Sequence, residues 1–276
     1  MSIETVTSNT GTESAERDVL ISRDGAVATI TLNRPTRRNA MTLDSWIALR
    51  EALGELALDD ATRVVVLTGA GSDFCTGADL DKRTPMHPLN RMRQINATAL
   101  AVAEFPKPLI AKVRGYAVGA GWNLALLCDL LIASRDAQFS QIFAKRGLSV
   151  DFGGSWLLPR MVGLHRAKRL VMLAEMIDAE QADALGLVSE LVEPDELDAT
   201  VARFATRLAA APTVAVMQST RLIEESTTSS LRDALENEAR SQAVNFATDA
   251  PAALRAFIEK RPPAFSGEWQ DRKSVV

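Results

Sequence analysis

The chain has 276 residues, 47% of them hydrophobic and 24% charged, with a formal net charge of -4. This is ordinary globular composition, long enough to bury a core without staples, and its acidic balance argues against nucleic acid as the main partner, because a phosphate backbone calls for clustered Lys and Arg. No apolar run approaches the roughly 20 residues of a membrane-spanning helix, so no membrane partner is expected.

Residues 1–16 are polar, with three acids and no Lys or Arg. They lack the basic start of a signal peptide and the arginines of a transit peptide, so a disordered tail on a cytoplasmic chain is expected. Next, DVLISRDGAVATITLNRP holds two short runs around Asp24-Gly25, a hairpin pattern. Leu43, Trp46, Ile47, Arg50, Leu53 and Leu56 recur at helical spacing, with Thr42 placed as N-cap. RVVVLTG reads as a buried strand, residues 88–104 as a helix and KPLIAKV as another buried strand. Gly121 to Cys128 is a short apolar helix, followed by the strand DLLIA. From about Trp156 the pattern turns mostly helical, with one short strand at Leu187 to Val192 and a helical layer from near residue 200. Alternating strands and helices point to an α/β fold with crossover helices. Cys75 and Cys128 lie in apolar or small-residue settings without metal-ligand spacing, so reduced thiols are expected. His87 and His165 are too few for a His-based metal centre, and no metal is expected.

Two small-residue corners follow buried strands: TGAGSDFCTGADL at residues 68–80 and GYAVGAGWNLALLCD at residues 115–129. Neither is a dinucleotide fingerprint, since Phe74 and Leu124 stand where its third glycine belongs. Neither is a P-loop or a nucleophile elbow. Each could serve close packing of backbone on backbone, or let main-chain N–H groups approach a ligand. The start of a helix at Gly121 suits the second use, because its first N–H groups lack internal partners, and the pairing of two such corners makes it competitive with close packing.

The chain resembles the enoyl-CoA hydratase/isomerase (crotonase) superfamily along residues 18–265. The resemblance rests on ordered blocks: LNRPTRRNAM, VVVLTGAGSDFCTGADL, KPLIAKVRGYAVGAGWNLALLCDLLIA, AQFSQIF, GLSVDFGGSWLLPRMVG, AEQADALGLVSELV and EKRPPAF. It implies a crotonase-like spiral of ββα units over residues 17–200 and a helical C-terminal region at 201–276 that forms homotrimers or hexamers. It also implies acyl-CoA thioester substrates, with coenzyme A entering as part of the substrate and no separate cofactor. The thioester oxygen would be held by the main-chain N–H groups of Ala78 and Ala120. Two aimed donors stabilise an enolate, and losing one such donor typically costs about 10²–10³ in rate.

Hydration of an enoyl thioester needs a base and an acid, and family hydratases use two glutamates. The matching positions are Asn123 and Phe143. Asn cannot transfer a proton near neutral pH and Phe has none to transfer. One carboxylate does appear, Asp151 in GLSVDFGG, in a loop that the resemblance sets against the acyl group and where some isomerase members look similar and place their acid. A single carboxylate suffices to shift a double bond, and apolar neighbours (Val150, Phe152, Trp156) would raise its pKa. The alternative is that Asp151 caps the following helix or bonds the glycine turn. Asn123 would orient substrate or water, or fill the space of the lost glutamate. Trp122, Phe143, Gly77, Asp79 and Trp156 complete the expected acyl site, with Asp79 placed as a loop holder. For coenzyme A the resemblance points to main chain at Arg38, Asn39 and Ala40, to Lys82 after Asp79, and to Lys260 reaching a neighbouring subunit. The leading expectation is enoyl-CoA isomerisation. Hydratase and thioester hydrolase activities are the enzymatic alternatives, and a non-catalytic acyl-CoA-binding subunit is the alternative of another class.

Overall fold

The computed structural model describes residues 17–80 and 85–269. The expected tail at 1–16 and Lys82 lie outside the described residues. The chain opens with strands β1 (Val19–Asp24) and β2 (Val27–Leu32), an antiparallel hairpin turning at Gly25 and Ala26. Helix α1 (Leu43–Leu58) starts in a capping box, in which Thr42 and Ser45 each accept the other's backbone N–H. Then come β3 (Val64–Gly69), α2 (Pro88–Ala103), β4 (Leu109–Val113), β5 (Tyr116–Val118), α3 (Ala120–Leu126), β6 (Leu130–Ser134) and β7 (Gln138–Ser140). The C-terminal half adds α4 (Gly154–Val162), α5 (Leu164–Leu173), β8 (Ile177–Asp178), α6 (Ala179–Ala184), β9 (Glu190–Val192), α7 (Leu197–Ala209), α8 (Thr213–Ser226), α9 (Leu231–Phe246) and α10 (Ala250–Ile258).

The strands form two sheets. A six-stranded sheet runs β1-β2-β3-β4-β6-β9, parallel throughout except for the first hairpin. A three-stranded sheet runs β5-β7-β8 and is extended by a single bridge from Cys75 to Ala117. Each turn of chain therefore lays one rung in the large sheet and one in the small: β3 with Cys75, β4 with β5, β6 with β7. This is the expected ββα spiral.

The two faces of the large sheet bury different partners. Alternation along the strands sends Val65, Leu67, Ala111, Leu131 and Ala133 into the main core, which α1, α2 and α3 complete. Val64, Val66, Ile110 and Ile132 point the other way, into a smaller core closed by Leu197, Val201 and Ala205 of α7. The boundary expected at 200/201 thus falls inside α7, which packs on the sheet. The run LPRMVGLHRAKRLVMLA is divided between two helices, because Gly163 takes a positive φ of 76° between them. Cys75 and Cys128 are both free and buried.

Candidate active site

A cleft of about 640 Å³ opens where the two corner loops meet. Its lining includes Ala78, Ala120, Tyr116, Phe143, Leu148 and Asp151. A larger groove of about 990 Å³ runs along β1 and α1, but its walls are the hairpin and surface charges such as Arg23, Glu51 and Glu55, so size alone does not select a site.

The backbone at Ala78 is aimed by its neighbours. Met41 N–H donates to Gly77 O at 2.7 Å, and Asp79 N–H donates to Met41 O at 2.8 Å. Successive peptide groups of an extended segment point to opposite sides, so the Ala78 N–H faces away from Met41. Across from it, Gly119 turns the chain out of β5 with φ 58° and is itself tied to Ser140 O at 2.8 Å. The positive φ falls on Gly119 and not on Ala120, so an alanine is accommodated at 120. Ala120 is the first residue of α3, whose opening N–H groups have no intrahelical partner. Among the described residues no acceptor is recorded for the Ala78 or Ala120 N–H. The two corners touch: a Cβ placed on Gly77 would lie 3.3 Å from the Ala120 nitrogen. Two unpaired donors from successive turns of the spiral thus sit side by side in one cleft.

Two carboxylates line that cleft, in opposite states. Asp79 is buried and ion-paired to Arg34 at 2.8 Å and Arg37 at 3.4 Å. Arg34 also donates to the Ala40 carbonyl. Asp79 is therefore a brace for the Ala78 loop, as expected of a loop holder. Asp151 has no such brace. Its Oδ1 is shielded from solvent without a hydrogen-bond partner, and burial pushes the carboxyl up to about 6. It does not cap α4, whose N-cap Gly153 makes no side-chain bond.

Other expectations are corrected by packing. Trp122 is fully buried against Phe139, with ring centroids 5.2 Å apart, and lines the core instead of the cleft. Trp156 is 47% exposed on α4 and stacks under Arg160 at 4.1 Å, away from the cleft lining. Asn123 is fully buried and makes both of its polar contacts with protein, to the Asp151 carbonyl and to Gln141. Phe143 does line the cleft, beside Gly119.

The turn at Arg38, Asn39 and Ala40 uses its own N–H groups: they donate to Pro35 O, Arg34 O and Arg37 O at 2.9–3.0 Å. The N–H groups of this stretch are thus used within the turn. The Asn39 side chain clamps two loops through Ala70 O at 3.0 Å and Asp73 O at 2.7 Å. Arg38, stacked over Tyr116 at 4.9 Å, does face the cleft. Lys260 is exposed just beyond α10 and lies outside the cleft lining. Sequence reasoning missed Arg34 and Gln141. Arg34 stands in the quoted LNRPTRRNAM block, but nothing local marks it as the partner of an acid 45 positions away.

The family model for enoyl-CoA hydratase/isomerase matches residues 22–268 of the chain. The chain belongs to the enoyl-CoA hydratase/isomerase family. It is 37% identical over 250 residues to the 1,2-epoxyphenylacetyl-CoA isomerase of Escherichia coli, covering 88% of this chain and 95% of the relative. It is 35% identical over 249 residues to the short-chain-enoyl-CoA hydratase of Clostridium acetobutylicum, covering 88% and 95%. A solved putative enoyl-CoA hydratase from Streptomyces coelicolor superposes with a TM-score of 0.87 at 37% identity, covering 97% of this chain and all of that one. Within the enoyl-CoA hydratase/isomerase family, relatives at similar distance thus carry either reaction name, and the side chains of the cleft must decide between them.

Proposed function

We propose that the chain is an acyl-CoA isomerase that shifts a carbon–carbon double bond through an enolate, with Asp151 as the proton carrier. The Ala78 and Ala120 N–H groups bind the thioester oxygen. The Asp151 carboxylate takes a proton from C2 of a 3-enoyl thioester. The C–H electron pair becomes the C1=C2 bond of a dienolate, whose charge rests on the oxygen between the two donors. The protonated Asp151 then returns the proton to C4, which leaves the double bond between C2 and C3. No water is consumed. Coenzyme A enters only as part of the substrate, and the step calls on no further cofactor.

The observation that carries this reading is the contrast between the two carboxylates of the cleft: Asp79 is locked by arginines, while Asp151 presents a shielded oxygen with no partner and a carboxyl pushed up to about 6. A general base works best with a pKa near the operating pH. Apolar side chains left exposed on the C-terminal helices, among them Ile223, Leu231, Phe246 and Phe257, support assembly into a trimer or hexamer. In that assembly Lys260 is the proposed contact to a neighbour's coenzyme A, and the cytoplasm is the proposed compartment.

The test offers purified protein a 3-enoyl-CoA and, separately, crotonyl-CoA. Isomerisation should outpace hydration, and Asp151→Asn should abolish it. Rapid hydration that survives Asp151→Asn would overturn the reading, and thioester binding without turnover would favour a binding subunit.

A further inference from the structure

We propose that Asn123 is a positioning residue for the Asp151 carboxyl, and that Gln141 supports it by donating to the Asn123 amide oxygen. The proposal rests on the reading of Asp151 as the proton carrier. Asn123 sits on α3, fully buried. Its Nδ2 donates to the Asp151 carbonyl at 2.8 Å, and its Oδ1 accepts from Gln141 Nε2 at 2.8 Å. Gln141 is also fully buried. With the opposite orientation of the Asn123 amide, NH₂ would face NH₂ at Gln141 and oxygen would face oxygen at Asp151. The Asp151 carbonyl can only accept, so it fixes the Asn123 amide with Nδ2 towards it, and Gln141, whose own Oε1 has no partner, meets the Asn123 oxygen with its Nε2.

The loop needs such a tie. Asp151 is followed by Phe152 with φ 49° and Gly153 with φ 82°. Two left-handed residues in succession, one of them an aromatic, persist only where surroundings hold them. Three contacts do so. The Phe152 ring packs on Trp46 with centroids 4.6 Å apart, Gly154 N–H closes the turn onto the Asp151 carbonyl at 3.0 Å, and Asn123 takes the same carbonyl from the other side. The approach is tight enough that any side chain at Gly154 would collide with the Asn123 amide.

The placement of Asn123 explains its value. It lies three residues after Ala120, almost one helical turn along the same short helix. One rigid element thus carries a thioester-oxygen donor at its start and the tether of the proton carrier a turn later. The separation between donor and base is held by helix geometry instead of by loop conformation. An ionised glutamate or aspartate at 123 could not donate to the Asp151 carbonyl, so the amide is required for this task.

The experiment compares the native protein with Asn123→Ala, Gln141→Leu and Asp151→Asn in 3-enoyl-CoA isomerisation. Asn123→Ala should lower kcat about 10- to 100-fold, the scale of a misplaced reacting group, while KM stays within about threefold. Gln141→Leu should act in the same direction by several-fold. In both, the acid inflection of kcat/KM against pH should fall below its native position, because the carboxyl is no longer held in its shielded place. The charged and titratable groups sharing the cleft with it are Arg37, Arg38, Asp79, Tyr116 and Arg146, and none of these is altered. A readout without turnover comes from unfolding: the pH dependence of the difference in Tm between Asn123→Ala and Asn123→Ala/Asp151→Asn should show the same displacement. Native kcat and an unmoved inflection in Asn123→Ala, with Asp151→Asn inactive, would overturn the positioning role alone. Retained activity in Asp151→Asn would overturn the underlying reading instead. If Asn123→Ala does not fold, Gln141→Leu decides: an unchanged kcat and inflection there overturns the proposal.

Discussion

Asp151→Asn should make the protein more stable at neutral pH while removing its activity. The replacement keeps the shape of the side chain and both bonds to the residue's carbonyl, from Asn123 and Gly154. What it removes is a charge that burial disfavours. The unfolded chain ionises this carboxyl near 3.8, and the folded chain near 6. Between these values unfolding releases a proton, so stability falls as pH rises. Above about pH 6 the penalty is constant, at up to about 3 kcal/mol, taking about 1.36 kcal/mol per pH unit. Asparagine does not carry that penalty. In a chain of this size the gain corresponds to at most about 5 °C in Tm at pH 8, shrinking towards zero by about pH 4. The same replacement should reduce isomerisation by about 10²–10⁴, or about 3–5 kcal/mol of transition-state stabilisation. Native kcat/KM should rise with pH through an inflection near 6, where the base ionises. Thermal scans from pH 4 to 8, paired with initial rates, measure all of this. A variant that is active and less stable than native at pH 8 would show Asp151 to be a structural group and refute the reasoning.

Ala120→Pro places a ring where helices accept one, at the first helical position, and sets a ring carbon on the nitrogen in place of the N–H. It should cost about 10²–10³ in kcat with little change in Tm, which rates and scans on one preparation will show. Arg34→Met removes the nearest partner of buried Asp79 and a donor to Ala40 O. It should destabilise by about 3–5 kcal/mol in denaturant unfolding and reduce kcat through the Ala78 loop. Trp122→Phe should leave KM for acyl-CoA within about threefold, since the indole is buried in the core and its Nε1 lacks a partner. A tenfold rise would return Trp122 to the acyl pocket.

Elements announced by local chemistry were legible from sequence. Asp24-Gly25 marks the first hairpin, Thr42 caps α1, and the runs VVVL and LIAKV are buried strands. The small sheet was not legible. Its strands are two or three residues long, and β5 pairs with β7 across 22 positions, so no periodicity could develop. Side-chain roles on α3 were hidden for a related reason. Every residue of that helix is buried, so no polar face tells which side meets the cleft. Trp122 and Asn123 were therefore both assigned to the acyl site, although one fills the core and the other ties a loop. Asp151 stood out through the family resemblance, which sets its loop against the acyl group. The left-handed Phe152 beside it did not, because that backbone angle is imposed by Trp46 from another helix.

The large sheet divides its labour. One face belongs to the core beneath α3 and the corner loops; among the described residues the other is closed by α7. Residues such as Val201 and Ala205 reach only the second of these. Their packing can be loosened or tightened without passing through the helix that aims Ala120 and tethers Asp151. The reverse face thus gives this chain a place to adjust how tightly it folds while the geometry around the thioester stays as it is.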